Sequence, residues 1–226
     1  MQKSKMNNQN LKGNRNDDSE QDDDFNQIGP DFVLYSAQRK QLTNLHLDLD
    51  EEVREPRYYR PFIRHLDNLE EDDQVSVHLK TYGGSYDGAL ALIQAFNSTE
   101  ATVVAFIEGH CDSAGSIIAL SCPNIVVSPF ATMLCHTAKY GTGGSILNVQ
   151  KYSSFMIEQI HSTMEEVYKD FLTEDELARV LAGEEFIFNA KEISKRLKKK
   201  FNLQEKRRKA LTKPRAKNAK TGSVLA

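Results

Sequence analysis

The feature that most constrains the fold is a unit that occurs twice in quick succession: a β-branched or aromatic run, a small-residue turn, then an apolar helical stretch. VSVHLKTYGGS at residues 75–85 leads into ALALIQAFNS, and TVVAFIEGHCDS at 102–113 leads into AGSIIALS. Strands that alternate with helices predict a mainly parallel sheet with helical cover. Chemistry in such a sheet belongs at the C-terminal ends of the strands. The neighbouring segments extend the pattern. Leu45-His46-Leu47-Asp48-Leu49 alternates as a half-buried strand, and Tyr58, Tyr59, Phe62, Ile63, Leu66 and Leu69 keep helical spacing behind Pro56. NIVVS leads through a proline turn to TMLCHT. From Ser145 to Phe171 no Pro or Gly interrupts a stripe of Ile146, Val149, Tyr152, Met156, Ile160, Met164, Val167 and Phe171. A helix of that span is about 40 Å long, more than a small domain usually covers, and self-association is one use for it.

Charge marks the ends. The net charge of -3 hides an acidic DDSEQDDD at 17–24 and basic runs KRLKKK at 195–200 and EKRRKALTKPRAKNAK at 205–220. Residues 1–27 carry almost no large apolar side chains and cannot offset their ordering entropy by burial, so they read as a disordered acidic leader. The globular domain is assigned to 28–203, opening with Phe32-Val33-Leu34-Tyr35, and 204–226 to a basic disordered tail. That tail has no interleaved aromatics to stack bases, which argues against nucleic acid as its partner. Three cysteines, Cys111, Cys122 and Cys135, form no CxxC and no even set, and read as reduced thiols of a cytoplasmic protein. No stretch of about 18 apolar residues is present, and the N-terminus lacks the apolar core of a signal peptide.

Ser113, between a polar tripeptide and a run that must be buried, fits two roles. It can cap the helix that follows, or it can attack a carbonyl above that helix's N-terminus. A nucleophile needs a base, a group that orients the base, and donors for the oxyanion. Among six histidines, His46 and His78 sit inside strands, His65 and His161 on helices, and His110 in the serine's own turn. His136 ends a strand and opens into the Gly-rich TAKYGTGGS, which can turn its imidazole toward a neighbouring strand end. Gly83-Gly84 and the first-turn N–H of Ala114 are the candidate donors. CDSAG lacks the first glycine of G-x-S-x-G and reads as only half a nucleophile elbow, so that comparison is set aside. Asp112 is a carboxylate beside the serine, but adjacency along the chain is expected to point it away from Ser113.

The succession LKTYGGSYDGALALIQAF, VVAFIEGHCDSAGSIIALS, IVVSPFATMLCHTAKYGTGG, a long helix and GEEFIFNAKEI resembles the proteolytic subunit of the Clp protease over roughly Leu45–Leu203. The resemblance implies an α/β, crotonase/ClpP-like fold of repeated ββα units with a long protruding handle helix. It implies a serine endopeptidase with Ser113 as nucleophile, His136 as base, Gly84 and Ala114 at the oxyanion, and substrate strands added beside Gly83-Gly84. The family's Pro-Gly-Gly turn has Tyr82 in place of proline here. The family's third member, an Asp, aligns with Glu184-Glu185, of which Glu185 is the assignment and Glu184 lies one register away. No metal or cofactor is implied. The implied partners are unfolded protein substrates, further copies of the chain in stacked rings of about fourteen subunits, and a hexameric ATP-dependent unfoldase, since the chain has no P-loop of its own. The acidic and basic ends resemble those of virus-encoded relatives that mature phage heads. Two other classes remain open: a catalytically inactive ring subunit, and a crotonase-type acyl-CoA enzyme with no use for Ser113.

Overall fold

The computed structural model describes residues 42–139 and 141–212. The acidic leader, the expected start at Phe32–Tyr35 and the end of the basic tail lie outside them. The fold is mixed α/β, as expected. Strands β1 (Asn44–Leu49), β2 (Gln74–Thr81), β3 (Thr102–Asp112), β4 (Asn124–Val127), β5 (Thr132–Cys135) and β6 (Phe186–Asn189) form one sheet in the order β1-β2-β3-β5-β6, with β4 also beside β3. Only the β5–β6 pair is antiparallel. Helices α1 (Pro56–Leu66), α2 (Tyr86–Ser98) and α3 (Ala114–Ser121) follow the first three strands; α4 (Ile146–Tyr168), α5 (Glu174–Leu181) and α6 (Ala190–Thr212) complete the chain.

Alternation decides which face is covered. Val75, Val77 and Leu79 of β2 and Val103, Ala105 and Ile107 of β3 point to the same side and are buried, together with Leu92 of α2. Helix α3 is apolar but for Ser116 and its last residue, Ser121, and every residue from Ala114 to Leu120 is buried. A helix without a polar face belongs in the centre of the body. Its N-terminus therefore lies at the C-terminal edge of the sheet, below β3.

The length of β3 sets up that edge. Its first half pairs with β4, through Val104↔Asn124 to Ile107↔Val127, and its last residues pair with β5, through His110↔Thr132 to Asp112↔Leu134. His110, expected in the serine's turn, is strand together with Gly109, Cys111 and Asp112, because β5 takes over as partner where β4 stops. The ends of β3 and β5 are thereby held side by side, and Ser113 N–H donates to Leu134 O at 3.0 Å.

Two helices differ from expectation. The long helix runs Ile146–Tyr168, some residues shorter at its C-terminal end than its apolar stripe, and only Ile160, Met164 and Tyr168 are buried. Its N-terminal half leaves Ile146, Leu147, Tyr152, Phe155 and Ile157 exposed. Helix α6 continues through Thr212, beyond the Leu203 at which the sequence places the end of the domain. Ion pairs carry that extension: Arg207 with Asp170 at 2.6 Å, and Glu205 with Arg208 at 3.0 Å and Lys209 at 3.1 Å.

The C-terminal elements are bolted together by Arg196. Its guanidinium pairs with Glu176 at 2.7 Å, donates to Phe171 O at 3.2 Å and lies 4.3 Å from the Phe188 ring centroid. Glu176 also closes the capping box of α5 with Thr173. Arg196 above all holds the Glu176 carboxyl down to about 2. A carboxyl depressed in the folded state adds stability that is complete above its unfolded value, about 4.3, and is lost as pH falls toward 2. Acid titration of unfolding free energy should show this loss in the native protein, and Glu176→Gln should flatten that part of the curve while lowering stability at pH 7.

Candidate active site

Ser113 stands at the junction of β3 and α3 with φ 54° and ψ −120°, the one non-glycine residue with positive φ among those described. It occupies the N-cap position, but its side chain makes no capping hydrogen bond, so the hydroxyl is not used to satisfy the helix. A serine in this strained strand-to-helix turn has the backbone of a nucleophile elbow although the sequence lacks the elbow's first glycine. The missing space is supplied from elsewhere. A Cβ on Gly83, in the turn after β2, would lie 2.5 Å from Ser113 Cβ and 2.9 Å from Asp112 O, and one on Gly115 would meet Thr81 Cγ2 at 2.7 Å. Gly83, from another strand, and Gly115, the motif's second glycine, thus make room for it.

His136 follows β5 directly. Its Nε2 is buried and has no hydrogen-bond partner among the described residues, while Nδ1 lies 3.5 Å from Glu185 Oε1. Burial lowers the imidazole below its ordinary value; Glu185 opposes the shift, Lys139 adds to it and Asp112 opposes it. The neutral ring is therefore favoured at physiological pH. The two adjacent glutamates have separate surroundings. Glu184 forms a two-pronged pair with Arg179, Nε to Oε2 at 3.0 Å and Nη2 to Oε2 at 2.7 Å, with Nε also 3.1 Å from Oε1. That pair leaves Glu185, at the entrance to antiparallel β6, as the carboxylate facing the histidine.

Ser113, Ala114, His136, Glu185 and Gly84 line one cleft of about 960 Å³, whose apolar side is built from Ile117, Leu134, Met156, Ile160 and Met164. Gly84 pairs with Val53: Val53 N–H donates to Gly83 O and Ser85 N–H donates to Val53 O, each at 2.7 Å. Alternation along an extended chain turns the N–H of Gly84 itself away from Val53. The first-turn N–H of Ala114 has no intrahelical acceptor. Gly83 is not part of the lining. It is buried, its N–H donates to Thr81 Oγ1 at 3.1 Å, and it supports the serine turn from behind.

Other residues at the site escaped the sequence reading. Asp112 lines the same cleft as Ser113, and burial pushes its carboxyl up. Ser116 and Tyr168 form a buried hydroxyl pair beneath Ser113, at 2.8 Å; Ser116 is three residues on from Ser113 and Tyr168 ends the distant α4, with no motif to reveal the contact. His110 lies on β3, stacked on Tyr82 with ring centroids 4.5 Å apart. Cys111, Cys122 and Cys135 are all buried, and burial pushes Cys122 and Cys135 to about 12, so these thiols are packing groups rather than nucleophiles. Among the described residues no cluster of three or more His, Cys, Asp or Glu is arranged to hold a metal ion. No described helix is long and apolar enough to cross a membrane.

The family model for Clp protease matches residues 35–195, a span that holds the elbow, the histidine and both glutamates. The chain belongs to the Clp protease family. Membership makes it a ClpP-like relative of peptide hydrolases. Comparison with individual curated proteins finds no match. The Clp-type core explains why Gly84, the serine turn and the histidine strand end share one cleft: they follow β2, β3 and β5, three successive neighbours that run parallel in one sheet.

The fit of Gly83 is directly testable. Gly83→Ala places a methyl group at φ +102° and 2.5 Å from Ser113 Cβ, and it should destabilise the fold by about 2 kcal/mol or more. Urea denaturation measures the loss.

Proposed function

We propose that this Clp-family chain is a serine endopeptidase in which Ser113 attacks the peptide carbonyl and His136 takes its proton. The observation that carries the reading is a serine held in an elbow with its hydroxyl free of capping duty, beside a buried, unpartnered His136 Nε2. Glu185 beside Nδ1 favours the tautomer with the proton on Nδ1, which leaves the Nε2 lone pair as acceptor. Ser113 Oγ then forms the bond to carbon as its proton passes to Nε2. The carbonyl oxygen takes the negative charge between the N–H groups of Gly84 and Ala114, the latter backed by the α3 dipole. Collapse expels the amine, which receives the proton from His136, and water repeats the cycle on the acyl-serine. No hydrogen bond joins Ser113 Oγ to Nε2 in the unliganded cleft, and such contacts commonly tighten only on substrate.

A fluorophosphonate followed by mass spectrometry tests this reading. Labelling should fall on Ser113 and disappear in His136→Ala. Absence of label on folded, assembled protein would favour the inactive ring subunit, and thioester binding without label would favour the acyl-CoA reading. The pH dependence carries a sign. Labelling should fall as His136 becomes protonated, with a midpoint below about 6.5 because burial lowers its pKa. Removing the opposing charge with Glu185→Gln should move the midpoint lower still and reduce the plateau rate. A midpoint that stays fixed would exclude Glu185 as the orienting group.

The proposal extends to assembly. The exposed apolar residues of α4 supply a surface for a second copy, consistent with the handle that interlocks stacked rings and closes a chamber for unfolded substrates. Leu147→Asp should convert a double ring into single rings or protomers in sedimentation velocity. An extended substrate would add as a strand beside Gly84, and ATP would be used by a separate unfoldase in the same cytoplasm. The acidic leader and basic tail extend the proposal to a virus-encoded enzyme that trims assembly proteins and its own ends. Intact termini after long incubation of label-competent protein would count against that extension.

A further inference from the structure

The mechanism above uses the hydroxyl of Ser113 and leaves its carbonyl unexplained. As the N-cap carbonyl of α3 it accepts from Ser116 N at 3.0 Å and Ile117 N at 3.3 Å. It also accepts a third bond, from Ser116 Oγ at 2.7 Å. Ser116 has one hydroxyl proton and uses it there, so its 2.8 Å contact with Tyr168 Oη runs the other way, with Tyr168 donating. Both side chains are completely buried. Cys135, the residue before His136, is buried on β5 and interacts electrostatically with the Tyr168 hydroxyl.

We propose that Tyr168 and Ser116 are positioning residues whose hydroxyl relay holds Ser113 in its left-handed turn. The ψ torsion of Ser113 is the rotation between its carbonyl and the Cα that carries the hydroxymethyl group. With the oxygen fixed by three donors, the direction of the Cα–Cβ bond is fixed as well, at a ψ of −120° that the residue would not choose unaided. The relay starts on the last residue of α4, passes through α3 and lies near Cys135, the last residue of the strand that precedes His136. It thereby ties the nucleophile and the base to one buried polar cluster. Two hydroxyls in an otherwise apolar interior cost free energy unless bonded, and here Tyr168 bonds Ser116 and Ser116 bonds the elbow carbonyl. Simple core filling would be met equally well by apolar side chains at both positions.

This inference rests on Ser113 being a nucleophile, and the experiment separates the two. Full-length wild type, Tyr168→Phe, Ser116→Ala and the double variant are labelled with a fluorophosphonate, and the maximal rate per folded protein is resolved from the half-saturating concentration. Each single variant should lose roughly tenfold in maximal rate, with half-saturation and the pH midpoint of His136 unchanged. The double variant should be no slower than either single, because one relay is broken in every case. Ser116→Thr, which keeps the hydroxyl, should recover most of the rate. Wild-type maximal rates in both singles, with only a lower melting temperature, would overturn the positioning role, as would strictly additive losses or failure of both singles to fold. A wild type that labels only through His136 keeps the peptidase reading intact in those cases. A wild type that does not label removes the peptidase reading itself.

Discussion

Ser113 can hold its positive φ because no Cβ stands at residue 83, where one would come within 2.5 Å of its own. That contact joins the turn after β2 to the turn after β3, and the site depends on the two turns being this close. A bulkier residue at position 83 would push the serine turn away from the Gly84 N–H and away from β5. The parallel sheet supplies the distance, since neighbouring strands lie about 4.8 Å apart and end on the same edge. Glycine supplies the last ångströms.

The βα alternation in 75–121 made the parallel sheet legible, because strand and helix periods are local properties of a chain. The same holds for His136, whose position at a strand end before a Gly-rich loop can be read without knowing its neighbours. The elbow was not legible. Its sequence signal is a glycine two residues before the serine, and here Asp112 and Cys111 precede it while Gly83, from another strand, gives the clearance. The place of Asp112 in the cleft beside Leu134 follows from the β3–β5 pairing, a strand exchange that chain adjacency does not reveal. Helix α6 outran its expected end because the eye follows apolar residues, whereas Asp170 and Glu205 extend the helix through charge.

The choice between Glu184 and Glu185 shows a different limit. Both are acidic, adjacent and exposed, and nothing in GEEFIFNA separates them. Arg179, one turn earlier on α5, does so by taking Glu184 through both carboxylate oxygens and by lying over the Phe186 ring at 4.9 Å. The planar guanidinium suits that two-pronged contact. Glu184 closes the loop between α5 and β6, and the following residue is presented to His136 at the mouth of the cleft.

Helix α4 unites these levels. Its N-terminal part carries exposed Ile146, Leu147, Phe155 and Ile157, and its C-terminal part buries Ile160, Met164 and finally Tyr168. One continuous, rigid element of roughly 35 Å thus joins an exposed apolar surface to the residue beneath the elbow. Along it, Met156, Ile160 and Met164 form the apolar wall of the cleft. Displacing the exposed end would tilt that wall and move the Tyr168 hydroxyl together. Substrate fit and serine geometry therefore share a single mechanical support, and neither can be altered through α4 without the other.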